Sequence, residues 1–523
     1  MTETFTSSAR SSEPDGSLPE GMTHRDVMDS LVAILAGAFT ALLSVNIVAN
    51  ALPTIISDLS GTERQYTWVI TVTLLANAAS TPIWGKFADL YNKKTLTEIA
   101  LAIFVGASML AGLASNIPVL MVARGIQGIG MGGMMALSMA LIGSIIPPRQ
   151  RGQYQGYLGG TMAAAQAGGP VLGGFVVDTL GWRWTFFICV PLAIVSFFML
   201  QARLHVPTIR RRVRIDWLGS VLMVTTVSVA LIGMTSAGTD FAWVSWQTAA
   251  FLAATVAGVA LTILVEWHAS EPVIPLRLLG MRTTGLSVLA SIAVGIALFG
   301  AGTFLAQYFQ IARGFSAGTA GLFQIFNVAG MLVSSTLSGS LISRYGSWKP
   351  YLVSGAILLC SSLFALSIVD HTTSLPYVLA MMTIMGVGTG LLMQNLVLCV
   401  QNDVELKDVG TASSAVAFFR TFGGASGIAV LGAVLEGRIV DTLSRTLPAD
   451  SLTQVSGSLD IDSLPTHVQS LVRAAYGDGI GHIFLLTAIV SLITVAAVAF
   501  IPHKRLRKTL ELQHATAASD GAS

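Results

Sequence analysis

The sequence predicts an all-α polytopic membrane protein of 14 transmembrane helices with both termini cytoplasmic, and three observations carry that expectation. The first is composition. Of 523 residues, 53% are hydrophobic and only 11% charged, against roughly 25% charged in soluble domains. The second is length. A helix needs about 20 apolar residues to cross the hydrocarbon layer, because lipid satisfies no backbone donor or acceptor. Fourteen stretches qualify: 31–52, 66–84, 95–114, 119–146, 153–180, 184–202, 216–235, 248–267, 285–308, 319–342, 350–369, 376–401, 411–435 and 481–501. The third is the distribution of the 29 Lys and Arg. With these spans, 6 lie on the external side, 2 inside spans and the remaining 21 on the side of the termini, which basic flanks mark as cytoplasmic.

The net charge of +2 gives no reason to expect a nucleic-acid partner. Residues 1–28 are polar and Ser-rich and read as a disordered cytosolic tail; residues 504–523 form a second one. Cys189, Cys360 and Cys399 all fall in apolar runs, so neither a disulfide framework nor a metal site is expected. No cofactor motif and no nucleophile paired with a base appears in any span, which argues against an enzyme. The basic cluster Arg210, Arg211, Arg212 and Arg214 reads as a retained cytoplasmic loop. Residues 436–480 read as one long external loop containing a weakly amphipathic run, His467 to Tyr476.

Span 1 reads LSVNIVANALP, with Ser44, Asn46 and Asn50. Between spans 2 and 3 stands GKFADLYNKK, with Gly85, Asp89, Lys93 and Lys94 in a short loop. Span 4 opens with VARGIQGIGMGG, where Arg124, Gln127, Gly128 and Gly132 share one stripe by i, i+3 and i+4 spacing. A guanidinium in hydrocarbon costs at least about 2.5 kcal/mol, so an intramembrane Arg marks function by default. Span 5 contains QAGGPVLGG; Gly169, Gly173 and Gly174 permit close helix approach and Pro170 kinks the span.

In this order the loop, the Arg stripe and the Gly-Pro run resemble signature motifs of the major facilitator superfamily, and of its fourteen-span drug:proton antiporters in particular. GWRWTFFICVP at 181–191, IDWLG at 215–219 and GTASSAVAFFRTFGGASG at 410–427 extend the resemblance. It implies two six-helix bundles, 29–203 and 277–503, separated by a linker and two inserted helices at 204–276. Spans 1, 2, 4 and 5 would face spans 9, 10, 12 and 13 across a cavity. It further implies a conformational latch at Gly85, Asp89, Lys93 and Lys94, proton coupling through Arg124 and Gln127, and an antiporter seam at Gly169, Pro170, Gly173 and Gly174.

One departure bears on coupling. The family's span-1 acid is replaced by Ser44, and none of the 27 Asp and Glu falls at mid-membrane depth. Proton carriage would then pass to Asp178 and Glu98. The cavity would be lined by neutral groups: Ser44, Asn46, Asn50, Asn77, Gln166, Gln307, Gln310, Gln324, Asn327, Gln394 and Asn395, interleaved with Phe304, Phe323, Phe326 and Met393. Amides with adaptable Met and aromatic surface suit a small hydrophobic or amphipathic substrate. The expected function is efflux from a bacterial cell across its inner (plasma) membrane by a monomer, driven by protons. Export or flipping of an envelope lipid is the alternative, and a sensor that lost transport a more distant one.

Overall fold

The computed structural model describes residues 24–59, 63–146, 148–203, 217–237, 241–269, 276–315, 317–405, 408–446, 466–504 and 506. The chain is helical along almost all of these. The order is α1 His24–Asp58, α2 Glu63–Leu90, α3 Lys93–Gly112, α4 Ile117–Ile145, α5 Pro148–Leu180, a short α6 Trp184–Phe187, α7 Cys189–Arg203, α8 Trp217–Ser236 and α9 Trp246–His268. There follow a short α10 Leu276–Gly280, α11 Arg282–Gln307 with a π-helical end Tyr308–Ala312, α12 Ala317–Tyr345, α13 Lys349–Leu366, α14 Leu375–Asp403, α15 Val409–Thr446 and α16 Thr466–Phe500. Twelve helices among the described residues are long and apolar enough to cross a membrane. The other two expected spans, α2 and α5, have ample length at 28 and 33 residues but carry more polar side chains, as helices facing a polar interior do.

Polar caps fix several helix starts. Asn92 accepts a hydrogen bond from the Lys94 amide, Asn116 from Val119 and Ser245 from Thr248, each satisfying a donor that the first turn leaves free. Between helices, small residues set the packing. A Cβ on Gly128 or Gly132 of α4 would lie 2.4 or 2.8 Å from the Thr73 or Asn77 carbonyl of α2. Gly386 and Gly390 of α14 meet the Asn327 and Met331 carbonyls of α12 in the same way. Gly169 and Gly173 of α5 lie on Asn46 and Ile47 of α1, as Gly423 and Gly427 of α15 lie on Ile292 and Ile296 of α11. The helices α1–α7 and α11–α16 therefore repeat one packing scheme, in which missing side chains let backbones touch.

The two halves meet where α5 runs along α12 and α14 and where α2 and α4 pack against α15, the face-to-face arrangement expected from the motifs. The inserted pair α8 and α9 lies outside: α9 packs on α8, and α8 rests on both α2 and α15. Met223, Val227 and Leu231 of α8 share an apolar cluster with Ala78 and Phe418. The first and last described helices are each tied to a neighbour in their own half. The start of α1 is tied to the end of α7 through Asp29 and Arg203, while past α16 the Leu506 amide donates to Gly346 and Lys504 pairs with Asp403 at the end of α14.

The expected loop at 436–480 is corrected at both margins. Residues up to Thr446 continue α15 and residues from Thr466 begin α16. They persist as helix because Leu443 packs with Val472 and Ala475 in a small apolar cluster, which the amphipathic run at 467–476 supplies. The expected disordered tail 1–28 is corrected at its end, since His24 already opens α1; the rest of it, and the tail 504–523 apart from 504 and 506, lie outside the described residues, as do residues 210–214 and the side chains of Asn50, Pro170, Gly174 and Asp178.

Candidate functional site: the seam between the halves

Asp89, at the end of α2, reaches across to the first turn of α15. Its Oδ1 accepts from the Gly410 amide at 3.1 Å, and its Oδ2 accepts from the Thr411 amide at 2.8 Å and the Thr411 hydroxyl at 2.5 Å. An anion is favoured at a helix start by the exposed amides and the helix dipole. The approach depends on two glycines. A Cβ on Gly85 would fall 1.8 Å from Ser414 Oγ, and one on Gly410 would fall 2.4 Å from Asp89 Oδ1. Lys93 stands beside the carboxylate, yet burial in the seam outweighs it and pushes Asp89 up from 3.8 to about 6. Lys94 is used otherwise, donating to the Gln201 carbonyl of α7 at 2.7 Å.

Further contacts cross between the halves at the same end. Gln401 of α14 donates to the Met139 carbonyl of α4 at 3.3 Å and to Ser413 at 2.8 Å. Ser335 of α12 donates to the Gly156 carbonyl of α5. Higher up, Gln394 donates to the Met162 sulfur at 3.2 Å, while its carbonyl oxygen is sealed without a partner. Among the described residues, every hydrogen bond shown between the halves lies on the Asp89 side of, or level with, this Gln394 contact.

Arg124 is buried inside the first half. Its Nη1 donates to Gln127 Oε1 at 2.6 Å, Gln127 donates to Ser108 Oγ at 2.8 Å, and Ser108 donates to the Phe104 carbonyl of α3. Arg124 Nε is sealed with no acceptor, which costs energy at a buried site. Glu98 on α3 likewise has one carboxylate oxygen sealed without a partner.

The expected cavity residues divide. Asn46 donates to its own helix at Leu42 and packs on Gly169, and Asn395 donates to Ser338 and Leu391; both are spent on seams. Ser44 is fully buried beside Cys189 of α7, so the position of the family's acid sits within the first half. Asn77 lies in the α2–α4 seam and Asn327 against Gly386. Gln324 donates weakly to the Gly302 carbonyl at 3.5 Å. Gln166 is half-buried, Gln310 exposed, and Gln307 has a sealed, partnerless Oε1. Phe304 is buried in the core, Phe323 meets Phe309 at a tilt and Phe315 edge-on, and Phe326 is exposed.

Sequence reasoning missed Gly410, Thr411, Ser414 and Gln401. A run of small and hydroxyl residues opening a helix, GTASS, was the available signal: it is what a helix start needs in order to receive another backbone at contact distance.

Residues 34–428 match the family model described as Major Facilitator Superfamily. The chain is 33% identical over 447 residues to the multidrug transporter protein MdtP of Bacillus subtilis (strain 168), covering 86% of this chain and 80% of that one. It is 32% identical over 422 residues to the efflux pump FUS6 of Gibberella moniliformis, covering 78% and 74%. The solved human organic anion transporter MFSD10 superposes with TM-score 0.60 at 13% identity over 89% of this chain and 99% of that one; the proton:xylose symporter XylE gives 0.59 at 14% over 92% and 98%. At such identity these two structures speak for the fold alone. The match across most of the sequence, the repeated two-half architecture and the relatives place this protein in the major facilitator superfamily, a family of membrane transporters and not of enzymes.

Proposed function

We propose that the protein exports small hydrophobic or amphipathic molecules by alternating access, with its bundles, 29–203 and 277–503, rocking about a central cleft. The single observation that carries the reading is the Asp89 clasp on the start of α15, which fastens the halves at one end. Read with both tails in the cytoplasm of a bacterial inner membrane and fourteen spans crossed, this arrangement is the inward-closed state. Gly85, Asp89 and Lys93 form the latch, with Lys94 bracing it against α7. The glycine seams of α5 and α15 let the bundles deform where they pivot. Names of relatives such as multidrug transporter and efflux pump support a small-molecule cargo.

In this reading the driving ion is the proton, moved through Glu98, Asp178 and the Arg124–Gln127 chain. Gln166, Gln307 and Gln394 present the polar side of the substrate site, together with Gln310, Gln324 and Asn50. The test uses everted vesicles holding an imposed proton gradient reported by a pH-sensitive dye. Ethidium and a neutral dye, Nile red, are added in turn. Collapse of the gradient by a transported dye is expected. Transport with an unchanged gradient would remove proton coupling, and no transport of either dye against vesicles lacking the protein would remove the multidrug reading.

A further inference from the structure

Arg420 has no role in the latch or the coupling chain. It lies on α15, eleven residues above Val409, or about 16 Å along the helix, and is only 5% exposed. Its shown contact is one long hydrogen bond, Nη1 to the Met393 carbonyl at 3.3 Å. Among the described residues no carboxylate pairs with it; the ion pairs found are Arg183–Asp58, Arg203–Asp29, Arg277–Asp408, Arg445–Asp441 and Lys504–Asp403. A guanidinium carries five N–H donors and cannot discharge itself. At this depth an uncompensated cation is costly and marks a pathway or a ligand.

Its surroundings differ from those of Arg124. The side-chain amide of Gln127 engages Arg124, whose Nε is sealed off. No nitrogen of Arg420 is among the sealed, partnerless atoms. The same turn of α14 that accepts its one bond also carries Gln394, which crosses to Met162 of the other half and leaves its own carbonyl oxygen unused. Arg420 therefore stands level with the Gln394–Met162 contact between the halves. In the repeated packing scheme, Arg420 precedes Gly423 by three residues as Gln166 precedes Gly169. One half thus offers a cation where the other offers an amide.

The geometry points to Arg420 as the anchor for the acidic group of an anionic amphipath, a carboxylate or sulfonate carried on an apolar body. This deepens the export reading and rests on it. The cargo's charge would replace the missing counter-ion. A carboxylate fits the guanidinium fork in two parallel hydrogen bonds, which a hydroxyl cannot supply.

The test uses three probes with one body: pyrenebutyrate, pyrenebutanol and pyrenebutylammonium. Binding to the full-length protein in nanodiscs is read by energy transfer from tryptophan to pyrene, with empty nanodiscs subtracted. The wild type is expected to bind the acid at least tenfold more tightly than the alcohol, with the ammonium weakest. Arg420→Gln should lower that acid-to-alcohol preference at least tenfold, and Arg420→Lys should restore part of it. A preference unmoved in Arg420→Gln, or acid and alcohol affinity falling by the same factor, would overturn the assignment, the latter by revealing a packing role. Proteoliposomes separate this from the export reading. Arg420-dependent binding with no movement of any probe keeps the site and rejects export, whereas movement with an Arg420-independent preference keeps export and rejects the site.

Discussion

Acidification should tighten the closed end, and the magnitude follows from Asp89. In the clasp its carboxyl titrates at about 6, above its ordinary 3.8, because burial in the seam disfavours the charge more than Lys93 and three donors favour it. In the open state the group faces water and returns to 3.8. A raised carboxyl pKa means that the closed state binds the proton more strongly, so the clasp is penalised above about pH 6 and relieved as pH falls through the interval from 6 to 4. Between pH 8 and pH 5 the closed-to-open ratio should rise about tenfold, or about 1.4 kcal/mol. The measurement is the distance distribution between spin labels at Tyr91 and Tyr345, both exposed and on opposite halves at the clasped end. Asp89→Asn provides the control. Its amide is neutral at every pH and can still accept from Thr411, so the pH response should vanish, with turnover lowered more than substrate affinity. A closed population that falls on acidification, or a response that survives in Asp89→Asn, would refute the reasoning.

Three other outcomes are expected. Gly85→Ala should abolish transport without loss of membrane insertion, because its Cβ would fall 1.8 Å from Ser414 Oγ; Gly85→Ala with Ser414→Gly should recover activity in part, and no recovery would place the defect elsewhere. Arg124→Ala should reduce transport at least tenfold in vesicles while leaving Gln127 and Ser108 without their cation, a loss of about 2 kcal/mol; full activity would remove Arg124 from the mechanism. Leu443→Ala should loosen the α15–α16 extension by about 2 kcal/mol, read as faster hydrogen exchange in 436–446 and 466–476, with unchanged exchange contradicting the Leu443–Val472–Ala475 contact.

The membrane class and the positions of the long helices were legible because they rest on apolar run length, which lipid enforces without reference to tertiary contacts. Asp89 was legible only through the resemblance of GKFADLYNKK to the signature loop of the family. Its partner was not, since Gly410 and Thr411 are ordinary small residues until α2 is brought within reach of them. The amides show the opposite failure. Asn46 and Asn395 look like cavity groups in sequence, but each finds a carbonyl or hydroxyl in its own bundle, which a one-dimensional reading cannot see. The end of α15 and the start of α16 read as loop in sequence because they are polar, although helix continues wherever a second helix covers its apolar stripe.

The central claim, that the halves must part at the clasped end during each cycle, is tested most directly by fastening them there. A Cβ at Gly160 of α5 would lie 3.3 Å from Thr336 Oγ1 of α12, within the reach of a disulfide. In a protein whose buried Cys189, Cys360 and Cys399 are replaced by Ala, Gly160→Cys with Thr336→Cys should stop transport when oxidised and recover it fully on reduction. Undiminished transport by the fully cross-linked protein would contradict the account.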